Sequence, residues 1–114
     1  MKTKDQAFYQ KLVMGGQWKK VSKVMSSGSQ QEKEWILETM GVAAARSDEH
    51  YNQLVGMLQE AQDKPVILAA IRAMGHCARS SAVSQLEFLG NRTEDADVQE
   101  ALTEARHMLK ASIQ

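Results

Sequence analysis

A short stretch that occurs twice decides the fold of this chain: WILETMG at residues 35–41 and AAIRAMG at residues 69–75, 34 positions later. The similarity continues where Gln53-Leu54 corresponds to Gln85-Leu86. Residues 98–105 then repeat the spacing of small and apolar residues at 66–73. Such self-similarity indicates a helical repeat protein, because a two-helix unit cannot bury its apolar face alone and stacked units share one core.

Apolar residues recur with helical spacing between the repeated stretches and predict seven helices joined by short turns. Gly15-Gly16 ends the first helix, Ser29 and Glu32 have the spacing of a capping box, and Pro65 stands in the first turn of the fifth helix. The other predicted N-caps are Ser47, Ser80 or Ser81, and Asp97.

The predicted fold class is all-α: a short α-solenoid, that is, a superhelix of antiparallel helix pairs with about seven helices. Residues 1–114 form a single HEAT-like repeat domain in this prediction, with approximate repeats at 1–28, 29–62 and 63–92 and a capping helix at 97–112. The length suits one small core. Aromatic residues make up only 5% of the chain, so the composition favours helices over a sheet.

Charge is balanced overall but unevenly distributed along the chain. The formal net charge is zero, so no global field draws the chain to nucleic acid or to a membrane. The first 31 residues are nevertheless basic and the remainder is acidic. The single cysteine, Cys77, cannot form an internal disulfide, which suits a reducing compartment. With no signal peptide and no apolar run of membrane length, we expect a cytoplasmic protein with no membrane partner.

Residues 65–75, PVILAAIRAMG, and AVSQL at 82–86 together resemble a HEAT-like repeat of the phycobilisome-lyase type, and the chain is similar to small bacterial-type HEAT repeat proteins. The resemblance covers the repeat and not a functional motif. It implies that the second helix of each pair, here helices two, four and six, lines the concave surface. The solvent-facing candidates for partner binding on those helices are Lys19, Lys20, Lys23, Asn52, Gln53, Gln59 and Gln85.

Phe88 is a further candidate on the sixth helix. It is the one large apolar residue out of phase with the stripe formed by Val83, Leu86 and Leu89. We expect Phe88 to fill the gap between repeats. The alternative is an exposed anchor for a partner.

No constellation of residues predicts catalysis. His76 is adjacent to Cys77, but neighbours on a helix point about 100° apart, which is poor metal geometry. His50 and His107 are scattered, and we expect all three histidines to pack or to lie on the surface. Cys77 lies in the most apolar helix and is expected to be a small buried hydrophobe. We therefore predict no catalytic residue, no metal, no cofactor and no enzymatic activity.

These features predict a non-enzymatic protein-binding or scaffold module that uses the concave face of the repeat stack, with a protein partner that the sequence does not identify. One alternative is an accessory subunit or chaperone-like partner of an enzyme. Another is nucleic-acid binding through the basic N-terminal third, where Lys19, Lys20 and Lys23 share roughly one helix face. Nucleic acid is the less favoured partner, because the rest of the chain is acidic and poor in aromatic residues. A homodimer through the rather apolar N-terminal helix is a further hypothesis.

Overall fold

The fold is built from helices throughout residues 4–113, the range that the computed structural model describes. The helices are α1 (Gln6–Met14), α2 (Trp18–Ser27), α3 (Gln30–Ala44), α4 (Asp48–Glu60), α5 (Lys64–His76), α6 (Ser81–Gly90) and α7 (Ala96–Ile113). Because this range holds seven helices and no strand, the predicted all-α fold class is confirmed. None of these helices is long and apolar enough to cross a membrane.

The helices pack in two layers. The odd-numbered layer consists of α1, α3, α5 and α7, and each of these helices packs against the next one in the layer. The even-numbered layer consists of α2, α4 and α6. In it α2 rests on α1 and α3, α4 rests on α3 and α5, and α6 rests on α5 and α7. Successive helices thus alternate between layers, as expected of stacked helix pairs, and the molecule measures 44 × 29 × 18 Å.

One continuous core lies between the two layers. Every helix contributes at least one large, fully buried apolar side chain to it. The central helix α5 buries residues on most of its sides, including Ala69, Ile71 and Met74, because α3, α4, α6 and α7 all contact it. The terminal helix α7 buries only one stripe, through Val98, Leu102, Ala105 and Leu109. This difference is the one expected between an internal helix and a capping helix.

The glycines of the repeated stretch lie where odd-numbered helices approach each other most closely. A Cβ atom built on Gly41 would lie 2.7 Å from the carbonyl oxygen of Ala73, and one built on Gly75 would lie 3.2 Å from the Cα of Ala105. These contacts are with main chain, which cannot give way as a flexible side chain can. Packing of α3 on α5 and of α5 on α7 therefore accounts for the repeated glycine.

Two predicted helix caps are confirmed. Ser29 and Glu32 form a complete capping box at α3, in which each side chain accepts a hydrogen bond from the other residue's main-chain N–H. The Ser47 hydroxyl accepts from the N–H of His50 at the start of α4. Each cap satisfies main-chain donors that the first turn of a helix leaves free.

The cap predicted at Asp97 is wrong. Helix α7 begins at Ala96, and the Asp95 carboxylate accepts hydrogen bonds from the N–H groups of Asp97 and Val98 at 2.9 and 3.1 Å. The Asp97 carboxylate instead accepts from the ammonium of Lys64 at 2.7 Å. The same ammonium lies 3.1 Å from the Asp95 carboxylate, so Lys64 ties the start of α5 to both acids, and Asp95 alone also caps α7.

Neither Ser80 nor Ser81 caps α6 with its side chain, contrary to the prediction. The Ser81 hydroxyl donates to the Tyr51 hydroxyl at 2.8 Å. Ser81 therefore links α6 to α4, and the tertiary contact replaces the local one.

Side-chain donors tie successive repeats together by bonding to carbonyls at the C-terminal ends of odd-numbered helices. The His50 ring donates through Nε2 to the Val13 carbonyl near the end of α1, at 2.7 Å. One repeat later, Arg79 Nε donates to the Ala44 carbonyl at the end of α3, at 2.6 Å. Both donors satisfy carbonyls that a helix C-terminus leaves without an intrahelical partner. The His50 bond thus ties α4 to α1, and the Arg79 bond ties the turn before α6 to α3.

Candidate partner-binding groove

An open groove with a volume of about 660 Å³ lies between α2 and α4. We call it the α2–α4 groove. Its volume falls within the range typical of ligand sites in proteins. Its walls and ends are lined by Ser22, Met25 and Ser26 of α2, Asn52, Gln53, Gly56 and Met57 of α4, Lys33 of α3, residues 60–63, and Val66 of α5.

Gly56 has an unusual place in this groove. It lies inside α4, where glycine costs about 1 kcal/mol relative to alanine. Unlike a Cβ on Gly41, a Cβ built on Gly56 meets no atom within 4 Å. Packing therefore does not require glycine here. The missing side chain lowers one wall of the groove and leaves the main chain of α4 open to close approach.

Four neutral polar side chains, those of Ser22, Ser26, Asn52 and Gln53, line the two walls. None of them forms a side-chain hydrogen bond with another residue in the range 4–113. Ser27 and Thr39, in contrast, donate to carbonyls of their own helices. The donors and acceptors of the groove are consequently available to a ligand.

Three charged residues also line the groove. Lys33 is half-buried on α3, whereas Glu60 and Asp63 are exposed where α4 turns into α5. None of the ion pairs between described residues involves any of them. Two carboxylates and one ammonium leave the groove slightly acidic.

The structure brings together only part of the predicted site. Asn52 and Gln53 line the α2–α4 groove. Gln59 is exposed on α4 but lies outside the groove, and Gln85 is half-buried on α6, away from it. The helical phase thus identified exposed positions, but only two of these residues face the space between neighbouring even-numbered helices.

Lys19, Lys20 and Lys23 are exposed on α2 and do not line the groove. Ser22 lies three residues after Lys19, and Ser26 lies three residues after Lys23. Because residues three apart are neighbours on a helix surface, the basic ridge of α2 borders the α2 wall of the groove without lining it.

The expectation that Phe88 fills a gap between repeats is wrong. Its side chain is 60% exposed, and the Arg92 guanidinium lies 5.2 Å from the ring centroid. The neighbouring positions Leu86 and Leu89 already face the core, so no inward position remains for Phe88. The alternative, an exposed aromatic anchor, agrees with this geometry.

Sequence reasoning missed Gly56, Met25 and Met57 as groove residues. Met25 falls on the apolar stripe that predicts the core-facing side of the second helix, and both methionines are half-buried against the core. Gly56 carried a usable signal, because glycine is unfavourable inside a helix and the position stands out within the pattern of α4.

The titratable groups of the core have structural roles. Burial raises the pKa of the Cys77 thiol, and the side chain is inaccessible, so little of the reactive thiolate forms. The His50 ring is held between the Val13 carbonyl and the Ser47 hydroxyl, both at 2.7 Å. Within residues 4–113 no three histidine, cysteine, aspartate or glutamate residues cluster so that they could hold a metal ion.

A second depression lies on the opposite side, over α1, α3 and α5. It measures about 460 Å³ and includes Met14 and Val42, which are 63% and 70% exposed. Gln6, Gln10, Glu38, Thr39 and His76 complete its lining. This depression is more open and lies on the closely packed odd-numbered layer.

Comparison of the chain with family models, with curated proteins and with solved structures found no match.

Proposed function

We propose that this chain is a non-enzymatic protein-binding or scaffold module, built from HEAT-like repeats, that holds its partner in the α2–α4 groove. The observation that carries the proposal is Gly56, a helix-weakening residue that packing does not require and that opens the groove wall. Departures from local sequence rules are expected at functional sites, and the surroundings of Gly56 supply no packing reason for this one.

The groove chemistry supports binding over catalysis. Its lining offers amides, hydroxyls, methionines and three charged groups, with no histidine or cysteine among them. Methionine side chains adapt to differently shaped ligands, which suits a binding surface. We place the module in the cytoplasm, because its one cysteine is a buried free thiol that suits a reducing compartment. An accessory subunit of an enzyme would use the same groove.

A second candidate function is nucleic-acid binding through the basic ridge of α2. Lys19, Lys20 and Lys23 are all exposed, and none takes part in an ion pair between residues of the described range. Phosphate contacts release counterions, so affinity for nucleic acid would fall steeply with salt. Binding in the groove, whose lining holds three charged groups of mixed sign, would depend on salt less.

The proposal is tested by affinity capture from a nuclease-treated lysate with three proteins: the wild type, Gly56→Leu and Gln59→Leu. Leucine at position 56 projects into the groove, and its Cβ meets no atom within 4 Å. Gln59→Leu adds the same side chain to the same helix outside the groove. We expect one protein partner that the wild type and Gln59→Leu retain and Gly56→Leu loses. Equal capture by all three proteins would contradict the proposal, and nuclease-sensitive capture that Lys19→Glu/Lys23→Glu abolishes would favour nucleic acid.

A homodimer through α1 stays a prediction. Tyr9, Leu12 and Val13 are buried within the chain, which leaves Phe8 and Met14 as the exposed apolar residues of this helix. Phe8 is partly covered by the Lys4 ammonium, which lies 5.5 Å from the ring centroid. A strict monomer in sedimentation velocity at high concentration would remove this prediction.

A further inference from the structure

We propose that the occupant of the α2–α4 groove is an extended peptide segment that carries a lysine or arginine side chain. This inference rests on the proposed function and goes beyond it, because it specifies the conformation and the charge of the partner. It distinguishes the partner from a folded surface and from a helix laid into the groove.

The dimensions of the groove favour a short segment. The longer wall, formed by α4, runs from Asn52 to Glu60, or about 12 Å of helix. An extended chain advances about 3.3 Å per residue, so about four residues span this wall. A folded partner would instead need on the order of 800 Å² of contact surface on this chain. Most of that interface would lie outside the groove.

Hydrogen-bonding capacity favours an extended main chain over a helix. The amides of Asn52 and Gln53 each combine a carbonyl acceptor with an NH₂ donor, as a peptide unit does. Ser22 and Ser26 offer hydroxyls from the opposite wall. An extended segment has its main-chain groups free to pair with these side chains, whereas a helix satisfies its own. Gly56 removes the side chain that would hold such a main chain away from α4.

The apolar part of the lining has little selectivity for the sequence of the peptide segment. Met25 and Met57 approach from opposite walls, and their flexible thioether side chains accept apolar side chains of different shapes. Selectivity must then come from the charged residues.

Charge complementarity identifies the selected side chain as basic. Glu60 and Asp63 are exposed, and no ion pair joins either of them to another residue of the described range. Lys33, on α3, is half-buried and offsets only one of the two carboxylates. A basic side chain near the α4–α5 turn would pair with these carboxylates, and an acidic one there would be repelled. Asp63 makes no capping hydrogen bond to α5, so helix capping does not account for this carboxylate.

The test begins with selection from a phage-displayed library of random linear octapeptides on the wild-type protein. Enriched peptides are then synthesised with a fluorescent label and titrated by anisotropy. We expect the enriched sequences to share a lysine or arginine, and we expect Gly56→Leu to weaken their binding by about tenfold or more, which is about 1.4 kcal/mol. Gln59→Leu should bind as the wild type does.

The assignment of a basic side chain is tested with a double-mutant cycle. The wild type and the carboxylate variant Glu60→Gln/Asp63→Asn are each titrated with the basic peptide and with a peptide whose basic residue is replaced by glutamine. We expect the carboxylate variant to weaken the basic peptide several-fold and to leave the glutamine peptide unaffected. Equal effects on both peptides, or enrichment of acidic peptides, would overturn the charge assignment. Thermal unfolding of each variant checks that the fold is retained.

The outcomes separate this inference from the proposed function. If Gly56→Leu loses a protein partner in the capture experiment but no linear peptide is enriched, the extended-peptide inference fails and the binding module stands. If neither a partner nor a peptide depends on Gly56, both proposals fail.

Discussion

Gly41 and Gly56 both lie inside helices and yet have opposite surroundings. A Cβ on Gly41 would lie 2.7 Å from the main chain of α5, whereas one on Gly56 would meet nothing within 4 Å. The odd-numbered layer is thus packed main chain against main chain, and the even-numbered layer keeps space between α2 and α4. Glycine therefore has a different role in each layer. Gly41 permits close helix packing, whereas Gly56 leaves an open surface.

The largest expected effect comes from adding a methyl group at the close contact between α3 and α5. Gly41→Ala should lower the free energy of unfolding by about 2–3 kcal/mol, because α3 and α5 must move apart and lose packing that alanine's helix propensity does not recover. Urea denaturation measures this loss. A stability equal to that of the wild type would show that the two helices are not in close contact.

The next effect concerns the tie between repeats. Arg79 donates to the Ala44 carbonyl and lies 5.0 Å from the Tyr51 ring centroid, so Arg79→Ala should cost about 2 kcal/mol. Its bond to the exposed Asp48 adds little to this. Arg46 is the corresponding arginine of the preceding repeat and is exposed, and Arg46→Ala should change stability by less than about 0.5 kcal/mol. Equal losses for the two variants would mean that Arg79 does not hold the repeats together.

Gly56→Ala should have the opposite sign to Gly41→Ala. Alanine gains helix propensity and meets no neighbour, so the free energy of unfolding should rise by about 1 kcal/mol. The same urea experiment measures both variants. A destabilised Gly56→Ala protein would remove the contrast between the two layers.

Ala78 is the reverse case, a position where glycine is absent although the backbone favours it. Its φ angle is 54°, in the left-handed region that costs a residue with a Cβ about 1 kcal/mol or more. Ala78→Gly relieves that strain but adds freedom to the unfolded chain, so a net gain of about 0.5 kcal/mol is expected. Thermal unfolding measures it, with Ala45→Gly as the control, since Ala45 has a φ of −62° and should only lose stability.

The smallest effect is electrostatic and depends on pH. The Lys64 ammonium lies 3.1 Å from the Asp95 carboxylate and holds the pKa of that carboxyl below its usual range. Since the folded pKa lies below the unfolded one, the stabilisation is present above about pH 4 and is lost as pH falls through the folded value. Lys64→Met should therefore lower Tm slightly at neutral pH and not at the acidic end, and high salt should reduce the difference. A Tm difference that is constant with pH would contradict this assignment.

The part of the fold that sequence predicted is the part set by local pattern. The repeated Met40-Gly41 and Met74-Gly75 pairs predicted equivalent helices, and the Ser29 capping box was visible in the spacing of two residues. The cap of α7 could not be found in this way. Asp95 and Asp97 are two residues apart, and spacing alone does not decide which carboxylate accepts from the first main-chain N–H groups of α7.

The groove was only half predictable for a similar reason. Helical phase indicates which side chains of one helix are exposed, and it identified Asn52 and Gln53. It does not give the angle between α2 and α4, which decides that Lys19 and Lys23 lie outside the groove. Met25 was hidden among core positions, because it belongs to the apolar stripe of its helix. Met57 lies outside the stripe of the fourth helix, and helical phase alone did not indicate that it lines the groove.

The assignment of the partner to the α2–α4 groove is tested most directly by NMR of protein labelled with ¹³C on its methionine methyl groups, titrated with the captured partner or an enriched peptide. Met25 and Met57 line the groove, Met14 is exposed over the odd-numbered layer, and Met40 and Met74 are fully buried. We expect the Met25 and Met57 methyl signals to shift while that of Met14 does not. A shift at Met14 with Met25 and Met57 unchanged would place the partner on the opposite face and contradict the proposed site.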